Sequence, residues 1–452
     1  MPSLVATNIV IVGGGIAGLA ASIYLAREGR AVTIFERRRD LGGRAVTHLR
    51  KGFRFNLGPH ALYRGGSAAR IYRELGIPIR GGRPSGRGLA LLNGTRHRLP
   101  AGLLSLLLTT ALTPKAKAEA AALMFRIRSA DPSRFAAMTV RQWLDDSVHD
   151  SQLRLVVEAF VRLATYSAAA DQQSAAVAVD QLKIARRGVV YIDEGWQKIV
   201  DALHSHAVAI GVNFVTSSRV VRVDHDGAVR GVELGELEMS QRRDTQSVAL
   251  PQLSGEETGT RIPAEAVLLA VDPASARAMT RGIDWPELTP VTATCLDVAL
   301  SRLPVARNTF AVGIDRPTYF SVHSRWGQLS PHGGALIHVA RYRSRQAAMS
   351  DDEFDSSAPP QALVSDDERE LESLLDDLQP GWRDVLVHRR FLPSMTVSNA
   401  LVTPQTRRPD VRTSVRGLYV AGDWVGSEGI LSDAALASAR AAARAIIAET
   451  QS

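Results

Sequence analysis

Cysteine is almost missing from this 452-residue chain, where Cys295 stands alone. No internal disulfide can form, and a cysteine-built metal cluster is not expected, which suits a reducing compartment. Lysine is nearly as scarce. It occurs only at Lys51, Lys115, Lys117, Lys183 and Lys198, so the formal charge of +8 is carried by arginine. No Lys/Arg block is interleaved with aromatic residues, so a nucleic-acid partner is not expected. A basic surface facing anionic lipid stays open. Long hydrophobic runs are also absent. The stretch AGLLSLLLTTAL (101–112) falls short of the roughly 20 residues that span a bilayer. The apolar run near the start has no charged region ahead of it and is broken by glycines, unlike a secretory signal. The expectation is a soluble, cytoplasmic protein, with peripheral membrane contact left open. No metal-ligand spacing is present either.

What is present is ordinary globular composition, 45% apolar and 22% charged, in a chain too long for one simple core. Asn8 to Leu25 reads NIVIVGGGIAGLAASIYL. A buried-strand pattern over 8–12 runs into Gly13, Gly14 and Gly15. Helical spacing follows over 16–27, closed by Gly29. Gly13, Gly15 and Gly18 match G-x-G-x-x-G in the setting that makes it informative. The first glycine permits the tight turn, the second lets a diphosphate approach, and the third lets helix and strand pack closely. The helix start offers free N–H groups and a positive dipole end to the phosphates.

A second strand, AVTIFE, ends in Glu36, at the spacing where a carboxylate binds adenosine ribose hydroxyls. That favours NAD or FAD over NADP, although Arg37, Arg38 and Arg39 are residues that a 2′-phosphate would attract. Gly42, Gly43 and Arg44 follow, again glycine backbone beside an arginine fork suited to a diphosphate. At the far end GLYVAGD (417–423) reads as a strand ending in glycine and aspartate, and 432–447 as an alanine-rich helix. A long cofactor lying across the domain needs both ends of the chain. Asp423 can hold a polyol hydroxyl, and the helix start near Leu431 can set positive dipole at a flavin's pyrimidine edge.

VGGGIAG, Glu36, LGGR and GLYVAGDWVGSEGILSDAALAS together resemble the superfamily of phytoene desaturases, protoporphyrinogen oxidases and flavin amine oxidases, most of all bacterial phytoene-dehydrogenase-related proteins. The likeness extends through YIDEGWQKIVDALHSHAVAIGVNFVTSSRVVRV, which looks like the segment whose backbone near Val220 meets the adenine. One departure is Asn56 in FNLGPH, where the superfamily usually has Asp, which puts a local turn in doubt.

The resemblance implies an α/β fold: a Rossmann-type, glutathione-reductase-like FAD-binding domain with a discontinuous α+β substrate domain. The FAD domain takes 1–75, 188–275 and 385–452, and the substrate domain 76–187 and 276–384. The implied FAD-contacting residues are Gly13, Gly14, Gly15, Ile16, Ala17, Gly18, Glu36, Arg37, Gly42, Gly43, Arg44, Gly58, Pro59, His60, Val220, Gly422, Asp423, Trp424, Ile430 and Leu431. Composition points to the same divisions. RGGRPSGRG (80–88) reads as a glycine-rich exit, and AVLLAVDP (266–273) as a buried strand ending at a turn. The segment 241–260 reads as an exposed loop or hairpin tip, and 351–370 as a solvated acidic link. The leucine-rich 99–125 reads as a core helix pair or, by resemblance, as an apolar lip for a lipophilic substrate.

A flavin needs little from its protein beyond placing a C–H bond in a dry pocket. His60 is the candidate acid/base, with a positional role as its alternative, and Trp424 also follows a cofactor motif. Tyr166, Trp196, Tyr319, His323, Trp326 and His338 are assigned no role. The implied activity is oxidation or desaturation of a lipophilic or polycyclic small molecule. Amine oxidation and non-catalytic binding on the same fold are the alternatives. Amine oxidases of the superfamily usually place a lysine near flavin N5, and this chain has none after Lys198.

Overall fold

The computed structural model describes residues 8–235, 260–344 and 365–450. The segments 241–259 and 351–364, expected to be a loop and an acidic link, lie outside the described residues. The last residues of that link, from Asp366, instead open a helix (Asp366–Leu378) whose first turn is capped by Ser365.

The first β-branched run folds as the strand Asn8–Val12, and Gly15 caps the helix Ile16–Arg27. The strand lies at the centre of a five-stranded sheet, flanked in parallel by Ala31–Phe35 and Ala266–Leu269. Asn213–Val215 and Leu418–Val420 form its edges, also parallel. The helix Ile16–Arg27 and the alanine-rich helix Leu431–Thr450 pack together into one apolar core with this sheet. Small side chains allow that close approach: Gly18, Ala20, Ala21, Ala435, Ala439 and Ala442 are all buried.

A mixed seven-stranded sheet forms the second layer system. Its order is Leu386–Ser398, Val291–Leu300, Ala335–Tyr342, Thr318–Val322, Phe310–Gly313, Leu89–Leu92 and Thr95–Arg98. All its pairings are antiparallel except Phe310–Gly313 with Leu89–Leu92. Every residue of Val291–Leu300 is buried, because both its faces are covered. On one face Leu296, Val298 and Leu300 pack with Leu371 and Leu375 of the helix Asp366–Leu378. The other face carries Cys295, Asp297 and Tyr319 towards the Gly58–His60 segment. Helices within 114–185 form a further apolar cluster beside Val312 and Ile314.

Two details differ from the sequence reading. The segment expected to return to the cofactor domain from 385 begins with Leu386–Ser398, which is an edge strand of the seven-stranded sheet. Within the glycine-rich exit, Gly81 and Gly82 pair with Ile192 and Tyr191 as a short strand. Among the described residues no helix is long and apolar enough to cross a membrane.

Candidate functional site

Two glycine loops meet at the C-terminal ends of the parallel strands. Gly42 donates its N–H to the Gly14 carbonyl at 2.9 Å. Gly15 and Gly42 form an isolated parallel bridge. The three glycines of the first loop are needed for different reasons. A Cβ on Gly18 would sit 2.1 Å from the Gly13 carbonyl oxygen, so this position is closed by the protein itself. A Cβ on Gly15 would meet nothing within 4 Å, and the backbone there has an ordinary φ of −75°. Gly15 therefore faces open space at the mouth of a helix whose first N–H groups are free to bind an anion. Ile16 and Ala17 are the first residues of that helix.

Glu36 follows the second strand and is buried. Its two carboxylate oxygens accept the N–H of Gly14 at 2.8 Å and of Arg38 at 2.9 Å. Each oxygen keeps a lone pair, and Arg37 lies between, on the exposed rim. Ser218 donates its N–H to the Glu36 carbonyl at 2.9 Å, which brings the strand beginning at buried Val220 to the same edge.

Arg44, after Gly43, pairs with Asp423 at 2.9 Å and donates to the Val397 carbonyl at 3.0 Å. Asp423 is buried and also accepts both the backbone and side-chain N–H groups of Asn399. Ser438 bonds both backbone groups of Gly422, fixing that turn to the last helix. The helix starts at Leu431, which follows buried Ile430 and has a positive φ of 57°. Two adjoining clefts share Ser167, Val291 and Leu401. One opens beside Thr289 and Arg343, and the other reaches Ile430 and Leu431.

Gly58, Pro59 and His60 join the two layer systems. The His60 ring lies between the Gly58 carbonyl (3.2 Å from Nδ1) and the Arg44 carbonyl (3.1 Å from Nε2), with Trp196 edge-on at 5.3 Å. A neutral ring can donate to only one carbonyl at a time. Burial nonetheless pushes its pKa down to about 4, so the ring is neutral near pH 7. His60 is placed to position the loop. The turn before it is intact despite the Asn for Asp departure: Asn56 Oδ1 accepts the Thr47 hydroxyl at 2.7 Å and the Trp196 N–H at 3.0 Å. Trp424 is placed otherwise. Its indole donates to the Val271 carbonyl at 2.8 Å and meets Trp285 edge-on within the parallel-sheet core.

Sequence reasoning missed several groups here. Asn399 carries no spacing signal. Asp433, in the first turn of the last helix, accepts the Ala68 N–H at 2.7 Å, and burial pushes its pKa up to about 6. Asp297 and His338 are a buried pair with Nδ1 2.5 Å from Oδ1, and Cys295 Sγ stands 3.1 Å from that oxygen. Only strand register brings these three together.

The donor chemistry fits a flavin dinucleotide. An open cradle at Gly15 beside a helix start suits a diphosphate, and a buried carboxylate with spare lone pairs suits a ribose. A second helix start at Leu431 suits an electron-rich ring. Comparisons with known proteins agree. Residues 16–298 match the model of the flavin containing amine oxidoreductases. A carotenoid 3,4-desaturase of Haloarcula japonica is 46% identical over 59 residues, 13% of this chain and 12% of that protein. A 4,4'-diaponeurosporene oxygenase of Staphylococcus aureus is 38% identical over 55 residues, 12% of this chain and 11% of the oxygenase. These matches thus span about an eighth of the relatives' length. In fold, an oxidoreductase from Methanosarcina mazei superposes with a TM-score of 0.71 at 19% identity, over 96% of this chain and 99% of that one. With well over half of its residues matched by the family model, the chain belongs to the flavin-containing amine oxidoreductase family.

Proposed function

We propose that this chain binds FAD on its parallel-sheet unit and oxidises an apolar small molecule held against the seven-stranded sheet. The observation that carries the reading is Gly15: space stands open where a side chain would be, at the junction of two glycine loops. In this reading 8–75 and 188–275, with the chain after Ser398, form the cofactor domain. The rest, including the edge strand Leu386–Ser398, forms the substrate domain.

The residues divide the work by their chemistry. The Gly13–Gly18 loop and the helix start of Ile16 and Ala17 hold the diphosphate through backbone N–H groups. Glu36 holds the adenosine ribose, with Val220 backbone at the adenine. Gly42, Gly43 and Arg44 close over the diphosphate, and Asp423 holds the polyol, drawing on the two groups that now pair with each other. Gly58, Pro59 and His60 support the ring edge, and Leu431 brings the helix dipole. FAD, when bound, supplies a hydride acceptor. The protein's task is to hold the substrate C–H bond beside it and to exclude water.

An apolar substrate accords with the names of the two relatives, a carotenoid desaturase and a diaponeurosporene oxygenase. It also accords with the lack of any lysine after Lys198, since arginine keeps its proton and cannot replace a tunable amine. The exposed leucines of Leu103–Leu108 would form the lip at a membrane surface. Amine oxidation is the second reading. The tyrosine group of buried Tyr319 and Tyr342 with partly buried Tyr166 favours it, because aromatic faces attract a cation.

Anaerobic stopped-flow reduction tests the order of the two. Flavin bleaching by isoprenoid or polycyclic compounds, with none by simple amines, is expected. Fast bleaching by amines alone would reverse it.

A further inference from the structure

One rung of the seven-stranded sheet carries an unusual run of polar side chains. Asp297 pairs in register with Arg390 on one side and with His338 on the other, and His338 pairs onward with Ser321. Asp297 and His338 are fully buried. Burial alone would raise the Asp297 pKa, yet the Arg390 guanidinium and the hydrogen bonds from His338 and Arg390 hold it well below the usual carboxylate range. An ionised carboxylate only accepts, so His338 must present a proton on Nδ1. Arg390 reaches Asp297 Oδ2 through both Nε (3.1 Å) and a terminal nitrogen (2.5 Å), and balances its charge. With Nδ1 committed to Asp297, Nε2 is the ring nitrogen left to a ligand, and its direction is fixed.

That Nε2 is buried and has no hydrogen-bond partner among the described residues. Two neighbours share the condition. His323 packs its ring 4.4 Å from that of His338 and uses Nε2 on the Tyr319 hydroxyl at 2.9 Å, while its Nδ1 is unpartnered. The Tyr342 hydroxyl, beside Tyr319, is unpartnered too. A lone unsatisfied buried atom is a local imperfection. Three in one cluster, two on the strand Ala335–Tyr342 and one on the turn His323–Arg325 packed against it, point to a polar partner, because each costs free energy when left unpaired.

The cluster is not arranged for a cation. A separation of 2.5 Å between Nδ1 and Oδ1 is that of a close hydrogen bond, whereas ligands of one metal ion about 2.0–2.3 Å away stand farther apart. The Arg390 guanidinium on the other carboxylate oxygen would repel the ion.

We propose that His338, positioned by Asp297, is a specificity-determining acceptor for a hydroxyl carried by the substrate. The preferred substrate is then a lipophilic alcohol, an apolar body with one neutral donor, rather than an unfunctionalised hydrocarbon or a cation. Arg390 disfavours an ammonium group at this point. The proposal deepens the reading above and rests on it, since it takes this sheet face as the wall of the substrate space.

The test compares two matched pairs of probes on the purified protein by intrinsic fluorescence: geranylgeraniol against a C20 isoprenoid hydrocarbon, and cholestanol against cholestane. In at least one pair the alcohol should bind about tenfold or more tightly. His338→Asn keeps a donor for Asp297 and removes the Nε2 acceptor. It should bind both members of that pair alike, with unfolding temperature and FAD content unchanged. Equal binding of alcohol and hydrocarbon by the wild type, no binding of any probe, or a preference that survives in His338→Asn would overturn the assignment. The fluorescence reading does not need flavin. A colourless protein that still prefers the alcohol through His338 would therefore sink the oxidoreductase reading and leave the subsite standing.

Discussion

Gly15 lies opposite Gly42 in a parallel bridge, so the turn after the first strand and the turn after the second present one continuous glycine surface. The two positions that look alike in the sequence, Gly15 and Gly18, face different things. One faces open space and the other the protein's own backbone.

Gly15→Val and Gly18→Val should therefore fail differently. Valine at 15 adopts an allowed φ and its Cβ meets no protein atom within 4 Å, so the unfolding midpoint should stay near wild type while FAD content falls to background. Valine at 18 drives a methine into the Gly13 carbonyl oxygen and should lower stability itself, by about 1–3 kcal/mol or more. Flavin absorbance and urea unfolding on the same samples separate the two. Wild-type flavin in the Gly15 variant would mean that the loop serves another purpose.

How much of this was legible in the sequence follows from what each feature depends on. The glycine loop, the helix after it and Glu36 are local, and spacing alone placed them. Arg44 and Asp423 were each read from the sequence as candidate ligand groups, but their mutual ion pair across the whole chain was not legible. That Leu386–Ser398 would be an edge strand of the seven-stranded sheet was not legible, because its half-buried, irregular pattern has no clean alternation; its ladder with Val291–Leu300 carries several register shifts. The Asp297–His338 pair exists only through cross-strand register, which no spacing reveals. The sequence placed Trp424 after the GD of a cofactor motif but could not show that its indole packs on Trp285 and donates to the Val271 carbonyl.

Asp297→Ala should be severely destabilising. It leaves the half-buried Arg390 over Phe55 without its carboxylate, and leaves the fully buried His338 Nδ1 without an acceptor. Breaking a buried pair from one side costs about 3–5 kcal/mol. Urea denaturation measures it. A loss below about 1 kcal/mol would show that water or a rearranged side chain takes over the role.

Asp433 gives the protein a pH dependence of definite sign. Its native pKa is pushed up to about 6 from an ordinary 3.8, by burial first and by the nearby Glu428 charge. Between about pH 4 and pH 6 the native state holds a proton that the unfolded chain has released, so this group's contribution to stability falls as pH rises through that window. A rise of that size corresponds to at most about 3 kcal/mol. Asp433→Asn keeps an oxygen for the Ala68 N–H and cannot ionise. It should be more stable than wild type near pH 8 and close to wild type near pH 4. Thermal unfolding at the two pH values reads the difference. An identical gain at both would place the effect in packing instead.

The last prediction concerns the helix Leu103–Leu108. Leu103, Leu104, Leu107 and Leu108 are exposed to 54%, 70%, 69% and 53% of their surface, and Phe125 on the next helix to 63%. A core helix pair would bury these side chains. Here the first helix buries only Leu106. Lys117 donates to the Leu107 carbonyl at 2.8 Å, which sets a cation beside the leucines where an anionic headgroup would meet it. Apolar side chains flanked by positive charge are the make-up of a segment that dips into a bilayer interface. Burying one leucine contributes about 1.5–3 kcal/mol, so Leu104→Ser with Leu107→Ser should weaken binding to vesicles of acidic phospholipid by about two orders of magnitude. Because both side chains are largely exposed, the unfolding free energy should change by less than about 0.5 kcal/mol. Lys117→Ala should weaken vesicle binding more modestly, and mainly at low salt, since screening removes the headgroup attraction. Co-sedimentation with vesicles at two salt concentrations, alongside urea unfolding, separates these contributions. Vesicle binding unaltered by the double serine variant would leave the leucines without a role at the membrane.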